Sequence, residues 1–143
     1  FNLLTNGAPG PLAQAFIDFV LGAEGQQIVA EDYVPVGEAT STGATGLSGE
    51  LSLAGSTSVQ PLAETLAEAF MAQNPDVAID VQGGGSSVGV TSAGQGTVDI
   101  GMASRAIKDS EMQEFPSLQI FVIAYDGIAI VVHPDVQLGN LTI

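Results

Sequence analysis

Apolar positions recur along this chain at two different spacings, and the change of spacing divides it. From Pro11 onward, Leu12, Ala15, Phe16, Phe19 and Val20 repeat as one face of a helix does; Pro11 suits the first turn and Gly22 closes the run. A second, shorter helix is expected over "AEGQQIVAED" (23–32), then an extended "YVPV". Residues 37–49, "GEATSTGATGLSG", are small or polar apart from Leu47 and carry no period, so they read as a linker. Beyond it the rhythm changes to short apolar runs alternating with helical faces. "LSLAG" (51–55) predicts a strand, and "VQPLAETLAEAFMAQ" (59–73) a helix with Val59, Leu62, Leu66 and Phe70 on one side, ended by Asn74-Pro75. "VAIDVQ" (77–82) and "VDIGMA" (98–103) predict two further strands, separated by "GGGSSVGVTSAGQG", a segment of poor helix propensity that alone could also be a flexible Gly/Ser loop. "LQIFVIAYDGIAIVVHP" (118–134) predicts one or two long strands with a kink at Asp126-Gly127. A β-α-β-α-β order implies an α/β fold: a mostly parallel open sheet with right-handed crossovers and helices on both faces.

In such a sheet, ligands bind beyond the carboxyl ends of the strands. Three strand ends here carry unusual chemistry. Gly55-Ser56-Thr57-Ser58 places hydroxyls at a helix start, where Thr57 or Ser58 would also serve as an ordinary N-cap. Gly83-Gly84-Gly85-Ser86-Ser87 allows a close backbone approach, yet it is neither a Walker A loop nor G-x-G-x-x-G, since Val88 stands where the third glycine belongs. Ala103-Ser104-Arg105 brings the only guanidinium of the chain, a fork of donors suited to an oxyanion. Taken alone, Arg105 would more simply form a surface ion pair with Asp109 or Glu111. Taken together, the three turns point to an anion cradle, with Lys108 on its rim and Asp99 structural.

Charge narrows the functions available. Two cationic residues against sixteen acidic ones give a net charge of −14, which argues against nucleic acid and anionic membranes as partners. At 45% hydrophobic residues the chain is not an acidic disordered segment. No cysteine is present, so thiol catalysis and zinc–thiolate sites are excluded. The single histidine, His133, is distant in sequence from every serine of the turns and reads as a surface residue, so no enzymatic activity and no cofactor or metal is expected.

The runs "LAGSTSVQPLAETLAEAF", "VQGGGSSVGV", "VDIGMASRAI" and "IAYDGIAIVVHP" resemble the phosphate-binding substrate-binding proteins of phosphate ABC transporters, the PstS family, which have the type II periplasmic binding protein fold. Residues 1–36 resemble that family's carboxyl terminus, and 50–143 its amino-terminal half. The resemblance implies a single α/β lobe over 1–143 in circularly permuted order, joined by the 37–49 linker and most simply explained by engineering. It implies phosphate contacts from Thr57, Ser58 and Ser86, with Arg105 at the position of the third turn where some members carry an acid. Ser87 and Ser104 are further candidates. It implies inorganic phosphate or a similar oxyanion such as sulfate as ligand, a transporter permease as docking partner, and a periplasmic or extracellular membrane-anchored parent; in this chain no targeting signal is expected. With one lobe, about three charge-assisted hydrogen bonds at roughly 1.5–3 kcal/mol each are missing, so weak, millimolar binding is expected. The alternatives are a homodimer through the former lobe interface and a single-lobe folding module without ligand.

Overall fold

A computed structural model of the chain describes residues 1–37 and 44–136. The strands are β1 (Asn2–Asn6), β2 (Val34–Pro35), β3 (Ser48–Gly55), β4 (Asp76–Gly83), β5 (Ile100–Ala103), β6 (Leu118–Val122) and β7 (Ala124–Tyr125). The helices are α1 (Pro11–Leu21), α2 (Ala23–Asp32), α3 (Gln60–Gln73), α4 (Ser86–Gly94) and α5 (Asp109–Glu114). Five strands make one open sheet in the order β4-β3-β5-β1-β6, and β2 pairs with β7 apart from it.

β3 is parallel to both β4 and β5, as expected, but β1 runs antiparallel to β5 and to β6. The sheet is therefore mixed, with one reversed strand that the reading of 1–10 did not anticipate. "NLLTN" offers too few residues to show a period, and Leu3 and Leu4 are buried in opposite layers. That double burial is what a central strand needs.

The crossovers explain where the helices go. β3-α3-β4 steps one way across the sheet, and β4-α4-β5 steps back past β3. Right-handed connections running in opposite directions must lie on opposite faces. Leu62, Leu66 and Phe70 of α3 accordingly join Phe16, Ile17, Phe19 and Val20 of α1 in the larger core, where the Phe70 ring meets the Phe16 and Phe19 rings edge-on at 5.4 and 5.5 Å. Val90 and Ala93 of α4 form the smaller core with Leu4, Ala103 and Leu118. Because α3 and α4 leave neighbouring strands toward opposite faces, a crevice opens beyond the ends of β3 and β4.

The helix that the β-α-β-α-β order requires after the three glycines is α4, which occupies 86–94 despite serines and glycines of poor helix propensity, because small residues let it lie directly on the sheet. Another expectation is corrected. Long strands over 118–134 are not formed. β6 ends at Val122, β7 adds two residues, and 126–136 contains no strand; there the backbone has no neighbouring strand among the described residues, and Ile128 and Val131 are 96% and 88% exposed. Part of the expected linker, Ser48-Gly49, belongs to β3; its centre, 38–43, lies outside the described residues. Among the described residues no helix is long and apolar enough to cross a membrane.

Candidate functional site

The first turn is organised by Ser56, not by Thr57 or Ser58. Ser56 is 2% exposed; its Oγ accepts from the backbone N–H of Ser58 (3.2 Å) and Val59 (3.4 Å), and its carbonyl accepts from Gln60 N at 3.0 Å. Its side chain thus caps the 57–59 turn that leads into α3. The Thr57 and Ser58 side chains are released from that duty and are exposed, and the Thr57 N–H lies outside these bonds.

The second turn needs its glycines. Gly84 and Gly85 have φ of 156° and 96°, which side chains resist. Gly85 N donates to Gly55 O at 2.8 Å, tying the second turn to the first. A Cβ on Gly83 would meet Gln60 Oε1 and, at 3.1 Å, the Thr57 methyl. One residue past the missing third glycine, Gly89 performs that glycine's usual task. A Cβ there would strike the Met102 carbonyl oxygen, so α4 touches β5 backbone to backbone.

Ser86 and Ser104 join the second turn to the third. Ser104 N donates to Ser86 Oγ at 3.0 Å, and the two hydroxyls are 3.2 Å apart. Asn2 Nδ2 donates to the Arg105 carbonyl at 3.0 Å, so β1 braces the third turn from behind. The structure therefore brings Thr57, Ser58, Ser86, Ser87, Ser104 and Arg105 to one edge of the sheet. The first-turn N–H groups of α4 and the Thr57 N–H at the start of α3 add donors and the positive ends of two helix dipoles. A groove of about 320 Å³ lined by Asn2, Ser104, Arg105, Val122 and Tyr125 opens beside the third turn.

Arg105 stands at this edge but is engaged. It forms a bidentate pair with Glu111, Nη2 to Oε1 at 2.7 Å and Nη1 to Oε2 at 2.8 Å, the ion pair that the sequence offered as the simpler account of this residue. Nη2 also donates to Ser87 Oγ at 3.1 Å. The Arg105 hydrogen bonds, helped by one from Lys108 N, hold the Glu111 carboxyl at about 2, against 4.5 ordinarily, and the same pairing raises Arg105. Lys108 is exposed on the rim.

The larger hollows are elsewhere. Cavities of about 440 and 530 Å³ both border Glu50 and Asp99, away from the three turns, and their carboxylates would repel an anion. Asp99 is structural: its Oδ2 accepts from Ser52 N and Ser52 Oγ, both at 2.8 Å. His133 is 72% exposed and faces only Asp135, at 3.3 Å.

A lobe of this topology, with its glycine and serine turns at the switch point, is what substrate-binding proteins are built from, and residues 39–143 match the PBP superfamily domain. The chain belongs to the PBP superfamily. Within it, the chain is 42% identical over 137 residues to phosphate-binding protein PstS 2 of Streptococcus pneumoniae, covering 94% of this chain and 46% of that protein. It is 38% identical to PstS 2 of Streptococcus agalactiae, covering 99% of this chain and 48% of that protein. The crystal structure of a phosphate ABC transporter phosphate-binding protein from Streptococcus pneumoniae superposes with a TM-score of 0.84 at 42% identity, over 94% of this chain and 52% of that one. The chain thus spans about half the length of the curated relatives it matches.

Proposed function

We propose that this chain is one lobe of a phosphate-binding protein that serves a phosphate ABC transporter, and that inorganic phosphate docks against the three turns. The observation that carries the reading is their convergence: Ser86 bridges to Ser104, Gly85 to Gly55, and the hydroxyls of Thr57, Ser58 and Ser87 are exposed at the same edge. Hydroxyl and backbone N–H donors in a fixed array suit a tetrahedral oxyanion. The role is capture rather than catalysis, outside the cytoplasmic membrane, with a permease as docking partner. The names of the streptococcal relatives support the ligand, and their matches, which take in both segments of this chain, support a natural rather than an engineered segment order.

The test is titration of the ¹⁵N-labelled chain with phosphate while amide shifts are followed. Saturable, millimolar shifts at Thr57, Ser58, Ser86, Ser87 and Ser104 are expected. Absence of any shift at these residues refutes the proposal.

A further inference from the structure

We infer that Arg105 acts on the oxyanion site through Ser87 rather than as a direct ligand, with Glu111 as the positioning residue that holds it there. The inference rests on the phosphate-binding reading above and concerns how that site is assembled.

The donor count comes first. A guanidinium has five N–H groups, two on each Nη and one on Nε. Nη1 donates to the Ala106 carbonyl at 3.0 Å and to Glu111 Oε2 at 2.8 Å. Nη2 donates to Glu111 Oε1 at 2.7 Å and to Ser87 Oγ at 3.1 Å. The four terminal donors thus have four acceptors. For Arg105 to grip an oxyanion with its fork, it would have to give up Glu111, exchanging one pair of oxygens for another.

Ser87 gains from the same arrangement. A hydroxyl carries one proton and two acceptor sites. With Arg105 filling an acceptor site, the Ser87 O–H is left to donate, from an exposed position in the first turn of α4. The charged donor also strengthens that hydroxyl as a donor in its turn. Ser86 next to it is fixed differently, by Ser104.

Glu111 is fixed from two directions. Besides Arg105 it accepts from Lys108 N at 2.9 Å, at the start of α5. It therefore sets the plane of the guanidinium and the direction in which Nη2 meets Ser87.

The two roles of Arg105 predict opposite signs for one substitution. If Arg105 were a direct ligand, Glu111 would compete with phosphate, and Glu111→Gln would strengthen binding. If Arg105 positions Ser87, Glu111→Gln loosens the fork and weakens binding. Phosphate titrations of the wild-type chain, Glu111→Gln, Ser87→Ala, Arg105→Met and the Ser87→Ala/Arg105→Met double variant decide between them. The expected result is that Ser87→Ala and Arg105→Met each weaken binding about 3- to 10-fold, the loss of roughly one hydrogen bond. The double variant should bind no worse than Ser87→Ala alone, and Glu111→Gln should weaken binding. The Arg105 side-chain ¹⁵N signals should stay in place at saturation while the Ser87 amide moves. Additive single losses, tighter binding by Glu111→Gln, or phosphate-dependent movement of the Arg105 side-chain signals overturn the inference. Should Arg105→Met fail to fold, the sign for Glu111→Gln and the wild-type Arg105 signals still decide. A wild-type chain that gives no shift refutes the binding reading itself, a different outcome from a wild-type chain that binds with an additive cycle.

Discussion

Gly89→Ala sets two opposed effects against each other within one residue. In an ordinary helix interior the change stabilises by about 1 kcal/mol, because alanine restricts the unfolded chain and glycine does not. Here the new Cβ would strike the Met102 carbonyl oxygen and come within 2.9 Å of Met102 N and 3.0 Å of its carbonyl carbon. Those atoms belong to β5, held between β3 and β1, and cannot swing aside as a side-chain tip could. Relief requires α4 to ride outward by roughly 1 Å, toward ordinary carbon contact distances. Overpacking of this kind costs about 1–3 kcal/mol, and a backbone neighbour places it at the upper end. Setting about 3 against about 1 leaves a net loss near 2 kcal/mol. Urea denaturation measures it, with Thr91→Ala as the control: Thr91 is exposed on the same helix, and there alanine should stabilise by roughly 0.5 kcal/mol. The outward shift also draws Ser86 and Ser87 away from Ser104 and Arg105, so phosphate binding should weaken in parallel. A Gly89→Ala chain as stable as the wild type would refute the close-packing argument.

Three further outcomes are expected. Ser56→Ala should lower stability by about 1 kcal/mol, read by thermal melting, because it removes the side-chain acceptor of the turn that leads into α3; an unchanged melt would mean that the turn holds without it. The Glu111 carboxyl should titrate near 2, so its share of stability is complete above the ordinary 4.5 and is lost as pH falls toward 2; a ¹³C carboxyl titration with a midpoint near 4.5 would contradict the Arg105 pairing. Ile128→Ser combined with Val131→Ser should change folding stability by no more than about 0.5 kcal/mol, since both side chains lie almost wholly in solvent; a larger loss in denaturant would mean that 128–131 packs on the lobe.

The sequence made legible those elements whose burial is one-sided and whose ends carry a signal. α1, with Pro11 at its start, and α3, closed by Asn74, were read nearly to the residue. α4 was required by the alternation of strands and helices but was faint in the residues themselves, because propensity sums its serines and glycines as unfavourable, while the structure uses their smallness to bring the helix onto β5. β1 was missed because its three consecutive buried residues, Leu3 to Thr5, show no alternation. The 127–134 run was read as strand from its valines and isoleucines, but apolar composition does not supply a pairing partner. At the site, the hydroxyl-bearing turns were visible as three motifs. Which hydroxyl caps and which is released depended on backbone geometry that spacing does not encode. Arg105 was visible as the only guanidinium, but its pairing with Glu111 rather than Asp109 is set by where α5 begins.

The grouping of the site along the chain has a consequence for where such a lobe can be cut and rejoined. Every group argued to meet or orient the anion lies between Thr57 and Glu111, while residues 1–36 border the site through the Asn2 brace and the groove that Phe1 and Asn2 line beside the third turn. The three turns and the α5 carboxylate that pairs with Arg105 thus lie in one continuous stretch of chain, so a cut and rejoining anywhere outside 57–111 would leave every one of these contacts within a single segment.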